Sequence, residues 1–141
     1  MSLTDRIIVS DIDLGGQPDA VAVSKDETKI AVAIENERDE GLNSGDIPQE
    51  PAGFVVIFDV PDPLDYSTWV AHNVFFDEDD PEPEHVAFNS DGTKVIVTLQ
   101  ENNKIAVIDS MTYSVGTYKI FLIISQRCIN LSGLFSQFGI I

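Results

Sequence analysis

Apolar residues in this chain come in short, largely β-branched runs separated by stretches rich in Asp, Glu, Asn, Gly and Pro. One series of runs is Ala20–Val23, Lys29–Ile34, Phe54–Phe58 and Trp69–Val74. A second is His85–Phe88, Lys94–Leu99, Ile105–Ile108 and Ser114–Ile120. Runs this short, bounded by turn residues, predict strands. Most are near-continuously apolar, with little polar alternation, which predicts strands buried on both faces. Arg6–Ile12 reads as one more strand ahead of the first series.

The two series are copies of one another. Residues 18–34, PDAVAVSKDETKIAVAI, align without a gap on residues 83–99, PEHVAFNSDGTKVIVTL, at an offset of 65 with seven identities in 17 positions. Asp19/Glu84, Ile30/Val95 and Ile34/Leu99 are conservative pairs within that alignment. Val56–Asp59 matches Ala106–Asp109 at an offset of 50, so the first copy holds 15 extra residues, which fall in the loop-like stretch 37–51. Asp91-Gly92 suits a tight hairpin, because Gly takes a positive φ without steric cost. Asp26-Glu27 stands in its place in the first copy, which predicts a turn of another type there.

Four antiparallel strands per repeat, with sheets stacked face to face, describe a propeller blade. The predicted fold class is therefore all-β: two four-stranded antiparallel blades of a partial β-propeller, with an atypical hydrophobic C-terminal tail. Residues 1–17 are the outer strand of a preceding blade, 18–76 a blade with the acidic insertion 37–51, 77–120 a second blade, and 121–141 the tail. A Greek-key sandwich of eight or nine strands is the competing architecture, but it gives no reason for a gapless repeat. Two blades cannot close a ring, so the expected partners are the remaining blades of a larger propeller or further copies of the chain.

Charge narrows the partners. The formal net charge is −16, and all 24 acidic residues lie at or before Asp109. Such a surface repels nucleic-acid phosphates and anionic membranes, and favours cations, basic partners or a calcium-rich medium. No apolar run approaches the length of a membrane span, and the first residues carry no basic and apolar leader pattern. The single cysteine, Cys128, excludes an internal disulfide.

The string VTLQENNKIAVID (Val97–Asp109), preceded by SDGTK, resembles secreted bacterial propellers that carry a choice-of-anchor I domain. GQPDAVAVS, IAVAIENE and GFVVIFDV in the first copy are similar to another blade of such proteins. The PD-x-V-A…DG-T-K pattern is shared more widely, including with YVTN-type propellers. The resemblance covers roughly residues 7–116. It implies a secreted or cell-surface location. The alkaline-phosphatase-like label that family members often carry implies a phosphoesterase, phytase-like in kind. The family is exported, yet no leader precedes residue 1. From about Gly116 the tail loses both acidity and repeat character, the expectation for a truncated or frame-shifted reading that would be non-functional. A strand or helix covering a blade edge is the alternative.

Candidate chemistry is sparse, and no catalytic residue is assigned. Glu35, Glu37, Asp39, Glu40, Asp46 and Glu50 crowd the insertion, and Asp77, Glu78, Asp79, Asp80, Glu82 and Glu84 crowd the loop before the second copy. Calcium takes six to eight oxygens from such flexible acidic loops, which makes Asp39, Glu40, Asp46, Asp77, Asp79 and Asp80 the calcium candidates. No EF-hand spacing occurs, and a solvated acidic rim accounts for the same residues. His72 and His85 lie on different predicted strands and would share a metal with Asp79 or Glu84 only by coincidence of fold. His85 otherwise reads as a blade-strand residue equivalent to Ala20. There is no G-x-S-x-G, Walker loop or H-E-x-x-H. Ser10-Asp11-Ile12-Asp13 does not assemble a nucleophile with two metals. Arg127 beside Cys128 could lower the thiol pKa, but an incidental thiol is the simpler reading. Tyr66, Trp69, Phe75 and Phe76 read as packing aromatics, with a ligand platform as the alternative. The sequence thus predicts a binding or structural module of an extracellular propeller, with the phosphoesterase and the non-functional reading as alternatives.

Overall fold

The computed structural model describes Ile8 and residues 10–119. The chain forms two four-stranded antiparallel sheets, each a simple up-and-down meander. Strands β1 (Pro18–Val23), β2 (Lys29–Ile34), β3 (Phe54–Asp59) and β4 (Val70–Phe75) make the first, in that order. Strands β5 (Pro83–Phe88), β6 (Lys94–Leu99), β7 (Lys104–Asp109) and β8 (Val115–Lys119) make the second. Among the described residues no strand passes from one sheet to the other, so a Greek-key sandwich does not describe their fold. Of the segment Arg6–Ile12, Ile8 and Ser10 to Ile12 belong to no strand. The remainder of that segment and the tail 121–141, with Arg127 and Cys128, lie outside the described residues.

The apolar runs do what their composition predicts. In β3 none of Phe54 to Phe58 is more than 5% exposed, so this strand is buried on both faces. One face contributes Val55 and Ile57, with Ala31 and Val74, to a core shared with the second sheet. The second sheet supplies Val95, Val97, Leu99, Ala106 and Ile108 to it, and Val86, Phe88 and Phe76 pack alongside. The other face carries Val32, Ile34, Phe54, Val56 and Phe58, with Leu14, Ile30 and Trp69 against them.

The order of stacking follows from the repeat. The second sheet meets the first with Val95, Val97 and Leu99, which are equivalent to Ile30, Val32 and Ile34. Those three point away from the second sheet, into the other core. The front of one sheet therefore packs on the back of the next, head to tail, as blades do in a propeller. The front of the first sheet keeps Val21, Val23 and Phe75 at 56–66% exposure, in register with Val32, Ile30 and Phe54. Ile12–Gly15 crosses it, leaving an open cleft of about 260 Å³ over Val56, Phe58, Ala71 and Asn73.

The β1–β2 turn corrects the expectation of a different type in the first copy. Glu27 and Gly92 are equivalent, and both have positive φ, 60° and 73°. In each turn the fourth residue's N–H closes on the first residue's carbonyl: Glu27 on Ser24 at 2.9 Å, Gly92 on Asn89 at 3.1 Å. Asp26 and Asp91 each accept from the backbone N–H and the hydroxyl of the threonine two residues on. The side chains of Ser24 and Asn89 accept from Lys29 N–H and Lys94 N–H, both at 2.9 Å. These local bonds hold Glu27 in a conformation that costs a residue with a Cβ about 1 kcal/mol or more.

Candidate functional site

The two ends of the stacked sheets differ in chemistry. At one end lie the β1–β2, β3–β4, β5–β6 and β7–β8 connections, and there each copy pairs a lysine with an aspartate directly across two strands: Lys29 with Asp59, Lys94 with Asp109. At the first pair the second sheet adds Tyr113, whose hydroxyl donates to Asp59 Oδ2 at 2.8 Å. His72 Nε2 lies 3.1 Å from the same oxygen, and its ring stacks on Tyr113 with centroids 4.0 Å apart and planes 16° apart. Burial pushes Asp59 up, but the bonds from Lys29 and Tyr113, the Lys29 charge and His72 outweigh it, and the carboxyl sits below its ordinary range. Burial, then the bond to Asp59 and that carboxylate's charge, push the Tyr113 phenol up to about 12. The Lys94 bond, joined by the Thr112 and Met111 N–H groups, holds Asp109 far below the usual carboxylate range. This end is a polar clasp between sheets.

The opposite end gathers the acidic loops. The insertion after β2 and the loop before β5 meet there: Arg38 Nη1 is 3.8 Å from Asp80, and Arg38 N–H donates to Glu82 at 3.2 Å. Asp39, Glu40 and Asp46 are exposed in the first loop, Asp77 and Asp79 are exposed in the second, and Asp80 is half-buried beside Arg38. The Asp39 carboxylate accepts from Gly41 N–H, and Gln49 Nε2 donates to the carbonyls of Asp39, Leu42 and Asp46. The amide of Gln49 thus fastens the insertion from within. Lys104 pairs with Glu78. Glu82 is only 8% exposed. Burial raises it, the Arg38 N–H opposes, Asp80 and Glu101 add to the rise, and the balance is upward. Of the aromatics singled out in the sequence, Trp69 packs edge-on against Phe58 with its Nε1 donating to the Asp62 carbonyl at 2.9 Å, and Phe75 lies 5.4 Å from Phe54.

The first strands of the two sheets end in the same region. Each opens with Pro-acid, and each has its register shift at that point: Pro18 faces Ile34 and Ala20 faces Ala33, while Pro83 faces Leu99 and His85 faces Thr98. Asp19 and Glu84 are therefore the extra residues of two equivalent β-bulges, a feature that re-aims a side chain. Their carboxylate oxygens and a ring nitrogen of His85 all lie within 4.8 Å of one another. Sequence reasoning let His72 and His85 share a metal with Asp79 or Glu84 only by coincidence of fold; the fold brings His85 to Glu84 and Asp19 and sets His72 at the other end with Asp59. The overlooked signal was the repeat itself, because equivalent residues on the inner strands of stacked sheets become neighbours. Glu35 stands close enough to feel this group. Burial, then the charges of Glu84, Asp19, Glu37 and Glu82, push its carboxyl above the ordinary range.

Fold and termini chemistry together define a β-structured module of propeller-type sheets. The family model for the Choice-of-anchor I domain matches residues 76–121, the span that contains the second sheet. No curated protein matches the chain. A solved structure, "Kuenenia stuttgartiensis Hydrazine Synthase", is similar at 13% identity and a TM-score of 0.48, over 67% of this chain and 26% of that one. The chain thus spans about a quarter of the length of the solved chain it matches. Among the described residues no helix is long and apolar enough to cross a membrane.

Proposed function

We propose that this chain is part of a secreted or cell-surface β-propeller and acts there as a binding and structural module, with calcium associated with its acidic end. The observation that carries the reading is the gathering of both acidic loops at one end of the stacked sheets through Arg38, Asp80 and Glu82. The choice-of-anchor I match over residues 76–121 supports the location. Asp39, Glu40, Asp46, Asp77, Asp79 and Asp80 are the proposed calcium ligands, with loop carbonyls and water completing the shell. The partners are further blades or further copies, which would cover Val21, Val23 and Phe75 on the front of the first sheet.

Calcium binding would stabilise the folded state by mass action, so millimolar calcium should raise Tm. An Asp77→Asn, Asp79→Asn, Asp80→Asn triple variant should lose most of that rise. A wild-type Tm indifferent to calcium would remove calcium from the proposal. Hydrolysis of p-nitrophenyl phosphate, by this chain or a longer protein that contains it, would favour the phosphoesterase reading instead.

A further inference from the structure

We propose that Asp19, Glu84 and His85 form a binding site for a divalent first-row transition-metal ion, zinc being the best chemical fit. The site goes beyond the calcium reading: it uses none of the six loop carboxylates, and its donor set differs in kind. One imidazole nitrogen with two carboxylates is borderline in softness and suits zinc, iron or manganese better than calcium, which takes oxygen alone.

Geometry supports the site. The three donor atoms lie within 4.8 Å of one another. Bonds of 2.0–2.2 Å to a tetrahedral ion would bring donor atoms to roughly 3.3 Å spacing. Asp19 and His85 are exposed and Glu84 is half-exposed, so small χ rotations close that gap without disturbing the cores. Among the described residues no lysine or arginine pairs with Asp19 or Glu84. The paired β-bulges are a second observation, independent of side-chain identity. Each strand spends its one extra residue on a carboxylate, and both are aimed at the same spot. Three protein donors leave a coordination position for water or an added anion, as in open zinc sites. The donors come from both sheets, so a bound ion would also brace the stack.

The test is a zinc titration of the full chain by calorimetry, with cobalt(II) absorption as a spectroscopic stand-in. One ion per chain is expected, with a rise in Tm. His85→Ala and the Asp19→Asn, Glu84→Gln double variant should each weaken zinc binding by at least ~10-fold. The Asp77→Asn, Asp79→Asn, Asp80→Asn triple variant should leave zinc binding unchanged while it loses most of the calcium effect, so the two proposals fail separately. Should a variant not fold, the wild-type chain still decides the matter. Its two histidines give separate imidazole resonances, and zinc must shift that of His85 and spare that of His72. No binding below millimolar zinc, unchanged affinity in His85→Ala, or a shift confined to His72 would each overturn the site.

Discussion

Tyr113 ties the two sheets by donating its phenolic hydrogen to Asp59 while its ring lies on His72. Removing only the hydroxyl in Tyr113→Phe should cost about 1 kcal/mol in chemical denaturation, since Asp59 is partly solvated and keeps Lys29. The pH dependence has a definite sign. The unfolded phenol ionises near its ordinary value of 10.0, and the folded one holds its proton to about 12. The folded state therefore binds more protons in that interval, and stability falls as pH rises through it. Denaturation of wild type and Tyr113→Phe across that range should show the tyrosine's advantage shrinking. This contact was hidden from sequence reasoning, because nothing in the order of residues says that a turn of one copy reaches a strand end of the other. The Lys29–Asp59 and Lys94–Asp109 pairs were open to it, because they occupy matching positions of the repeat.

At the level of strands, residue pattern predicted all eight that the described residues form, while the described part of Arg6–Ile12 belongs to none. β2 and β6 fall where their β-branched runs predict, and the other strands differ by one or two residues at their ends. The failure at Glu27 is instructive. A rule that reserves positive φ for glycine ignores Asp26, Thr28 and Ser24, whose hydrogen bonds fix the turn whatever stands at the next position. Glu27→Gly should therefore stabilise the chain by about 0.5–1 kcal/mol, with no change in the turn. Gly92→Ala should destabilise it by a similar amount. A Cβ there would meet the Ser24 Cβ at 3.6 Å, an ordinary contact, so backbone conformation and not crowding would carry the loss. Thermal or urea unfolding of both variants checks the pair, and opposite signs are required. The bulges at Asp19 and Glu84 escaped sequence reasoning for a related reason. An inserted residue in a strand leaves the apolar pattern almost intact, yet redirects the side chain that matters.

Across the whole molecule, charge sets the response to acid. Asp26, Asp59, Asp91 and Asp109 are all held below their ordinary value of 3.8 by their hydrogen-bond partners. The stability they lend is present above that value and is lost as pH falls through their folded values. Glu35 and Glu82 act the other way. Raised above 4.5 chiefly by burial, they bind more protons folded than unfolded, so stability rises as pH falls toward 4.5. Tm should thus climb as pH falls toward 4.5 and drop once pH falls below 3.8. Glu82→Gln should raise Tm at neutral pH, since the amide oxygen keeps the Arg38 N–H bond without a buried charge, and should flatten the climb. The head-to-tail order of the sheets has a consequence for how such proteins grow. Each unit offers its neighbour the surface that it also receives, so a duplicated gene segment slots in beside its parent without inventing any new fit. Unit number can then drift by copying alone, and selection is left free to act on the loops.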